Sequence, residues 1–224
     1  MASKALRGFL LFFGAKSWLE KPSKNRYATY LKSLSAIFDF DSLVALDLAW
    51  WPFDLLDYLD NYLTNNPETK VFEWGSGASS IWLARRGCYV TSVEHDETWA
   101  ASLRQYLSST SLEIKVVSKP GIPKVNAHVR SNKKGFENID FTNYVDAIMD
   151  ENEFDIIIID GRSRNACFEK ALAHLSPTGF IILDNSNRSE YRNFYRKFNL
   201  REENFCGLTP ASPIFTKSTI FSFR

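Results

Sequence analysis

The sequence predicts an α/β protein whose parallel sheet is covered by helices on both faces. Five strand-like apolar runs alternate with helix-like segments after residue 66, which is the pattern of a doubly wound sheet. In one of these runs, residues 156–159 are all isoleucine, as expected for a central strand that is buried on both faces. At 224 residues, the chain is long enough to form one such domain with a substantial core.

The first 66 residues predict an N-terminal helical extension that packs on a core domain of residues 67–224. Residues 1–20 and 27–38 have helical patterns, which are separated by a break around Pro22. A third helix is expected to begin near Pro52, because proline suits the first turn of a helix. The second helix is predicted to bury one apolar face, which consists of Tyr27, Tyr30, Leu31, Leu34 and Phe38.

The core domain is predicted to open with a strand at residue 70 and to close with a hairpin. Pro177 and Gly179 are expected to separate a helix from the fifth strand. In chain order, the predicted strands cover residues 70–74, 89–94, 112–117, 154–160, 180–184, 198–206 and 218–223. The predicted helices between them cover residues 79–86, 97–107, 144–149, 166–175 and 188–197.

Composition argues against several classes of protein. The net charge of +1 creates no field that attracts nucleic acid or acidic membranes, so no nucleic-acid partner is expected. The three cysteines are odd in number and lack metal-ligand spacing, which predicts a reduced, cytoplasmic location. The apolar run at residues 9–13 is too short to span a membrane, so no transmembrane segment is expected.

A glycine turn follows the first predicted strand of the core. Gly75 and Gly77 allow the backbone to turn tightly and to approach a flat ligand without a Cβ in the way. The second strand ends in Glu94, about 20 positions after Gly75, where a carboxylate grips ribose hydroxyls in nucleotide-binding folds. Together these features predict a site for a nucleotide cofactor.

Two details disfavour a dinucleotide as that cofactor. Ser80 stands where a dinucleotide-binding turn has its third glycine. Glu73 places a negative charge at the turn, where a pyrophosphate would have to bind the helix N-terminus. S-adenosylmethionine has no phosphate, and its sulfonium and amino group tolerate a nearby carboxylate.

The E-x-G-x-G pattern of Glu73, Gly75 and Gly77 resembles motif I of the class I S-adenosylmethionine-dependent methyltransferases. A group of uncharacterised bacterial members is more closely similar, over residues 50–188. The matching stretches are Trp50–Pro52, Phe72–Gly77, Val93–Asp96, Asp160–Arg164 and Leu183–Arg188. The resemblance implies a Rossmann-like doubly wound seven-stranded sheet with a terminal antiparallel hairpin. Residues 67–224 would then form the methyltransferase domain.

The resemblance also implies which residues bind S-adenosylmethionine. They are Glu73, Gly75, Ser76, Gly77, Ser79, Glu94, His95 and Asp160. His95 can be interpreted either as a general base or as a residue that packs near adenine. The chain departs from the bacterial group at Ala78, where that group often has asparagine, and after the third strand, where Ser118 and Lys119 replace a clear adenine-contacting acid.

Acids at the ends of two further strands predict the chemistry of the site. Asp160 and Asp184 follow neighbouring strands and are the expected catalytic residues. With Asn185 they resemble the metal site of catechol and caffeoyl-CoA type O-methyltransferases, which implies a Mg²⁺ or Ca²⁺ ion. The alternative is a metal-free pocket. In that case the two carboxylates would repel, and one would take up a proton or recruit an arginine such as Arg162 or Arg188.

Cationic residues lie close to these acids in the sequence. Arg162, Arg164 and Arg188 either hold an anionic substrate group or pair with nearby carboxylates such as Asp160 and Asp184. A basic loop after the third strand is either a solvated surface or a mobile lid. It contains Lys119, Lys124, His128, Arg130, Lys133 and Lys134.

These observations predict an S-adenosylmethionine-dependent methyltransferase that acts on an oxygen or nitrogen nucleophile of a small molecule. Two alternatives stay open. One is a nicotinamide-dependent oxidoreductase, since the glycine turn is shared with dinucleotide-binding folds. The other is a non-catalytic module that binds the cofactor and interacts with a partner.

Overall fold

The structure is a computed structural model, which describes part of the chain. The described residues are 21, 23, 25–37, 39–106, 111–117, 129–131, 133–137, 139–148, 153–192 and 194–224. The helix predicted over residues 1–20 lies outside them, as do Lys119, Lys124 and His128 of the basic loop.

The described residues form seven strands and eight α-helices. The strands are β1 (Lys70–Trp74), β2 (Tyr89–Glu94), β3 (Leu112–Val116), β4 (Phe154–Ile159), β5 (Leu175–Leu183), β6 (Arg201–Gly207) and β7 (Thr216–Ser222). The helices are α1 (Arg26–Leu34), α2 (Phe40–Ala45), α3 (Phe53–Asn65), α4 (Ala78–Ala84), α5 (Glu97–Arg104), α6 (Thr142–Val145), α7 (Arg164–Leu172) and α8 (Ser189–Arg192). Short 3₁₀ turns cover Asp146–Ile148 and Tyr195–Phe198.

The strands form one seven-stranded sheet within the described residues, in the order β3-β2-β1-β4-β5-β7-β6. The first five strands are parallel, and β7 is antiparallel to both β5 and β6. The predicted doubly wound sheet with a terminal antiparallel hairpin is therefore confirmed. Because the order reverses between β1 and β4, the carboxyl ends of these strands frame the crevice where such sheets bind ligands.

The sheet separates two hydrophobic clusters. Alternate residues of each central strand point to opposite faces, so that Val71 and Ile156 contact one cluster while Phe72 and Ile157 contact the other. The first cluster includes α2, α3 and α4, and the second includes α6 and α7. Both faces of the central strands are therefore buried, which explains their continuous apolar sequence.

The fifth strand is longer than predicted. The preceding helix ends at Leu172 instead of Leu175, and Leu175 already pairs with Phe154. The pairing then shifts register before Ile156 meets Phe180. A bulge accommodates Pro177 in the strand, because its missing N–H falls where the regular ladder is interrupted. Pro177 and Gly179, which predicted a break before the fifth strand, therefore lie at a bulge within β5.

The apolar face predicted for the second helix is partly wrong. In α1, Tyr27 and Leu31 are 69% and 63% exposed, whereas Thr29 and Ser33 are buried. The Ser33 hydroxyl accepts a hydrogen bond from the Ala211 amide at 2.9 Å, so the helix docks through its small polar face. Phe38 lies outside the described residues.

The segment between β5 and β6 is less regular than the single helix predicted over residues 188–197. It contains the short helix α8 and a 3₁₀ turn. None of the described helices has the length and apolar character needed to cross a membrane.

Candidate active site

The glycine turn after β1 has a geometry that its first glycine makes possible. Gly75 has a φ of +101°, and a Cβ at this position would lie 2.8 Å from the Cα and amide nitrogen of Gly161. Gly77 is extended, and a Cβ there would meet only the Ser79 hydroxyl at 3.8 Å and Trp50 at 4.0 Å. The fold therefore requires glycine at position 75, whereas a Cβ at position 77 would make only ordinary van der Waals contacts.

Glu73 lies beneath this turn with none of its surface exposed. Its carboxylate accepts hydrogen bonds from the hydroxyls of Ser79, Ser80 and Ser92, the last at 2.9 Å. Burial raises the pKa of Glu73 to about 7, although the three serine bonds act in the opposite direction. Glu73 is thus positioned to hold the turn in place.

Ser80, the residue that departs from the dinucleotide pattern, has a defined place in the turn. Its hydroxyl accepts a hydrogen bond from the Gly77 amide at 2.9 Å and donates one to Glu73. The Ser76 carbonyl accepts a further bond from the Trp99 indole at 2.7 Å. A third glycine would provide neither side-chain bond, so the departure stabilises this version of the turn.

Glu94 lies at the end of β2, as predicted. Its Oε1 accepts hydrogen bonds from the amides of His95 and Asp96, at 2.7 and 2.8 Å. The His95 Nδ1 lies 2.6 Å from the same oxygen, without the orientation of a hydrogen bond. Among the described residues no donor contacts Glu94 Oε2, and only 5% of this side chain is exposed.

His95 is surrounded by aromatic rings. Its ring centroid lies 5.7 to 5.9 Å from those of Phe136, Phe141 and Tyr144. The Tyr144 hydroxyl is fully buried, and burial raises its pKa well above the ordinary value. This environment supports the interpretation of His95 as a packing residue more than that of a general base.

Arg164 connects the ends of β4 and β5. Its guanidinium donates to the carbonyls of Asp160, Gly161 and Asp184. It also donates to Asp160 Oδ1 at 2.7 Å, and its Nη1 lies 3.9 Å from Asp184 Oδ2. Only 7% of the arginine side chain is exposed. The pairing of an arginine with these acids was one of the two predicted alternatives. The arginine is Arg164, and not Arg162 or Arg188, which were the examples expected to be recruited.

The Asp184 carboxylate is fully engaged with protein donors. Its Oδ1 accepts a hydrogen bond from Ser218 at 2.7 Å, and its Oδ2 accepts one from the Asn185 side chain. Burial and the charge of Asp160 raise the pKa of Asp184 to about 7, although Arg164 lowers it. Burial beside a second carboxylate therefore makes ionisation of Asp184 less favourable, and Arg164 offsets part of this effect.

The three residues predicted as metal ligands converge, but their arrangement does not fit a divalent cation. The Arg164 guanidinium lies between Asp160 and Asp184, where the ion would have to be. The Asn185 side-chain oxygen accepts a bond from Arg188 at 2.8 Å. Elsewhere in the described residues, no group of three histidine, cysteine or acidic side chains converges on one point. The geometry favours the arginine alternative over the metal alternative.

Asp160, Arg164 and Asp184, here called the Asp160–Arg164 centre, line a cavity of about 830 Å³. Its wall includes Asp160, Asp184 and Asn185, and the basic loop contributes Arg130 and Lys133. The Ser163 hydroxyl attaches that loop to the site through a 3.0 Å bond to the Arg130 carbonyl. The aromatic part of the wall consists of Trp50, Tyr191 and Phe194.

No family model matches the sequence, and no curated protein matches it. Solved structures do match its fold. An O-methyltransferase from Bacillus cereus, in complex with SAH (S-adenosylhomocysteine), aligns with a TM-score of 0.58 and 18% identity, over 94% of this chain and 97% of that one. The chain has the class I methyltransferase fold.

Two further methyltransferase structures share this fold at lower similarity. TrmN from Thermus thermophilus aligns with a TM-score of 0.51 and 13% identity over 81% of this chain. The chain covers 49% of TrmN. An rRNA methylase from Streptococcus thermophilus also aligns with a TM-score of 0.51, with 10% identity, over 75% of this chain and 96% of that one.

Several residues of the site were not predicted from the sequence. Gly161 stands within the Asp160–Arg164 motif, yet its close approach to Gly75 depends on the pairing of β1 with β4. Ser92 and Ser218 belong to strands, and their hydroxyls are directed at buried carboxylates. A polar residue inside an otherwise apolar strand is the signal that could have identified both of them.

Proposed function

We propose that this protein is an S-adenosylmethionine-dependent methyltransferase that acts on an oxygen or nitrogen nucleophile of a small molecule. The observation that carries the proposal is the turn at Gly75. This turn has the backbone conformation that only glycine adopts readily, it packs against Gly161, and it lies between Glu73 and Glu94 on a class I methyltransferase sheet.

The residues around the turn support this choice of methyl donor. Its methionine part would bind beside Gly77, where a Cβ would meet only ordinary van der Waals contacts, and Glu94 would accept hydrogen bonds from its ribose hydroxyls. Ser76 and Ser79 shape the turn, with Glu73 beneath them and His95 packed behind Glu94. S-adenosylmethionine supplies a methyl group on a sulfonium sulfur, and the sulfur keeps the electron pair when the carbon–sulfur bond breaks.

Asp160 is the group best placed to act on the acceptor. About a quarter of its side chain is exposed, at 24%, and it lies in the cavity wall. Arg164 holds one carboxylate oxygen, so the other can orient the nucleophile and take its proton. Asp184 is more deeply buried, and its role is to position Arg164 and hence Asp160. Alignment of donor and acceptor supplies most of the expected rate enhancement.

A small-molecule acceptor is supported by the size of the cavity, which falls in the range of ordinary ligand pockets. One of the structural neighbours is named as an rRNA methylase, at a sequence identity that shows the fold alone. The near-zero net charge of this chain argues against nucleic acid as the acceptor.

Calorimetric titration tests the proposed cofactor. We expect S-adenosylhomocysteine to bind the wild-type protein, and Gly75→Val and Glu94→Ala each to weaken this binding severely. Tight binding of NADH without any response to S-adenosylhomocysteine would support the oxidoreductase alternative instead. The presence of Asp160, Asp184 and Arg164 in one connected centre favours an enzyme over a non-catalytic module.

A further inference from the structure

The charges that line the cavity are not evenly matched. Its acids are Asp160, Asp184, Glu169 and Glu190, and its cations are Arg130, Lys133, Arg162, Arg164 and Arg188. Arg164 serves both Asp160 and Asp184. Glu169 pairs with Lys197, which lies outside the cavity wall, at 2.8 Å. Glu190 accepts a hydrogen bond from the Tyr191 side chain. Two of the arginines in this wall, Arg162 and Arg188, form no ion pair with any carboxylate of the described residues.

Arg162 is the first of these. Its guanidinium lies 4.7 Å from the centroid of the Phe136 ring, and its buried Nε has no hydrogen-bond partner among the described residues. Within the described part of the chain, no carboxylate is within ion-pair distance of it. A stacked arginine with an unused buried donor is prepared for a ligand, because an unsatisfied buried N–H is costly.

Arg188 is the second arginine of the cavity wall without an ion pair. Its Nη2 donates to the neutral Asn185 side chain at 2.8 Å, and the described residues place no carboxylate within ion-pair distance of its guanidinium. Arg162 follows β4 and Arg188 follows β5, so the two arginines reach the cavity from neighbouring strand ends, beside the Asp160–Arg164 centre.

We propose that the methyl acceptor is an anion whose carboxylate or phosphate group binds Arg162 and Arg188. This inference rests on the proposed function, since it names the substrate class of the same site. The anionic group would be repelled by Asp160, so it must lie away from the reacting atom. The acceptor is therefore a molecule with two functional groups, a hydroxyl or amine directed at Asp160 and an anion directed at the two arginines.

The charge of the ligand can be tested with small probes in the wild-type protein. Benzoate and phenyl phosphate carry the two candidate anions, and benzamide is the neutral counterpart of benzoate. We expect one or both anions to bind at least tenfold more tightly than benzamide, with an affinity that falls as salt is added. Equal binding of benzamide, or no binding of either anion at millimolar concentration, would overturn the proposal.

Substitution of single arginines tests whether Arg162 and Arg188 form the anion site. Arg162→Gln and Arg188→Gln should each weaken binding of the preferred anion about tenfold. Arg196→Gln, an exposed arginine outside the cavity wall, is the matched control and should leave this binding unchanged. An equal effect of all three variants would contradict the assignment.

A parallel titration with S-adenosylhomocysteine separates this inference from the proposed function. If S-adenosylhomocysteine binds and the anions do not, the inference fails alone. If the anions bind and S-adenosylhomocysteine does not, the methyltransferase proposal fails while the anion site stands.

Discussion

Gly75 and Gly161 pack backbone against backbone where β1 and β4 end. A Cβ on Gly75 would lie 2.8 Å from the Gly161 Cα, and a Cβ on Gly161 would lie 3.1 Å from the Gly75 nitrogen. This contact brings the cofactor turn next to Asp160, the residue that precedes Gly161. The proposed donor site and acceptor site are therefore joined by a contact that tolerates no side chain.

Gly75→Ala should destabilise the protein by about 3 kcal/mol or more, because strain at positive φ adds to a clash with backbone atoms. Gly87→Ala is the matched control. Gly87 has a φ of +82°, but no atom of the described residues would lie within 4 Å of an added Cβ, so only the conformational cost of about 1 kcal/mol applies. Urea unfolding measures both, and equal losses would contradict the packing argument.

Gly77→Ala should weaken binding of S-adenosylhomocysteine while leaving the stability of the fold nearly unchanged. Its Cβ would make only ordinary contacts with Ser79 and Trp50, so the unfolding free energy should change by less than about 1 kcal/mol. The same methyl group occupies the space proposed for the donor, and we expect calorimetry to show S-adenosylhomocysteine binding weakened at least tenfold. Unchanged affinity would place the donor elsewhere.

Glu73→Gln should change how stability depends on pH. The pKa of Glu73 is raised to about 7 from an ordinary value of 4.5, so the folded protein binds more protons than the unfolded chain between these limits. Stability is therefore lost as pH rises from about 4.5 to 7. Glutamine removes this loss, so the variant should gain stability relative to wild type over that interval, by about 2–3 kcal/mol.

The control for this measurement is Glu113→Gln, at an exposed position on β3. The stability difference between Glu73→Gln and wild type should change more with pH than the difference measured for this control. A change with pH no larger than that of the control would show that the buried carboxyl of Glu73 titrates normally. The hydrogen bonds that glutamine loses shift the whole curve and do not affect this comparison.

Arg164→Met should destabilise the protein by about 3–5 kcal/mol, because it leaves the buried Asp184 beside Asp160 without a counter-charge. Lys197→Met removes an exposed pair with Glu169 and should cost less than about 1 kcal/mol. Adding Asp184→Asn to Arg164→Met should restore part of the loss. A double variant no more stable than Arg164→Met would show that Asp184 carries no charge there.

The sheet and the position of the strand-end acids could be predicted from the sequence. The bounds of β1 agree with the prediction, because an apolar run that ends in a glycine turn leaves little choice of register. Parallel strands end at one edge, so Glu73, Asp160 and Asp184 had to be neighbours. The electrostatic influence of Asp160 on both Glu73 and Asp184 reflects this proximity.

Which arginine enters the acid pair could not be predicted. Three arginines follow the strand ends, and their spacing does not determine which side chain turns inward. In the structure Ser163 adopts a left-handed conformation with a φ of 51°, and α7 starts immediately after it. This turn directs Arg164 towards Asp160 and Asp184, while Arg162 lies on Phe136.

The exposed face of α1 and the length of β5 were missed for related reasons. Helical periodicity places Tyr27 and Leu31 together, but it does not say whether a partner surface covers them. Pro177 is typical of a loop, and the bulge that retains it in β5 arises from pairing with β4. Both outcomes depend on tertiary contacts that local patterns do not encode.

The central claim is methyl transfer without a metal held by Asp160 and Asp184. The most direct test follows label from S-adenosylmethionine carrying a tritiated methyl group into a panel of phenolic, sugar and small acidic metabolites, with a chelator present. We expect transfer to at least one acceptor in the chelator, and loss of at least a hundredfold in rate for Asp160→Asn. Binding of S-adenosylhomocysteine without transfer to any member of the panel, or transfer that chelation abolishes, would contradict the account.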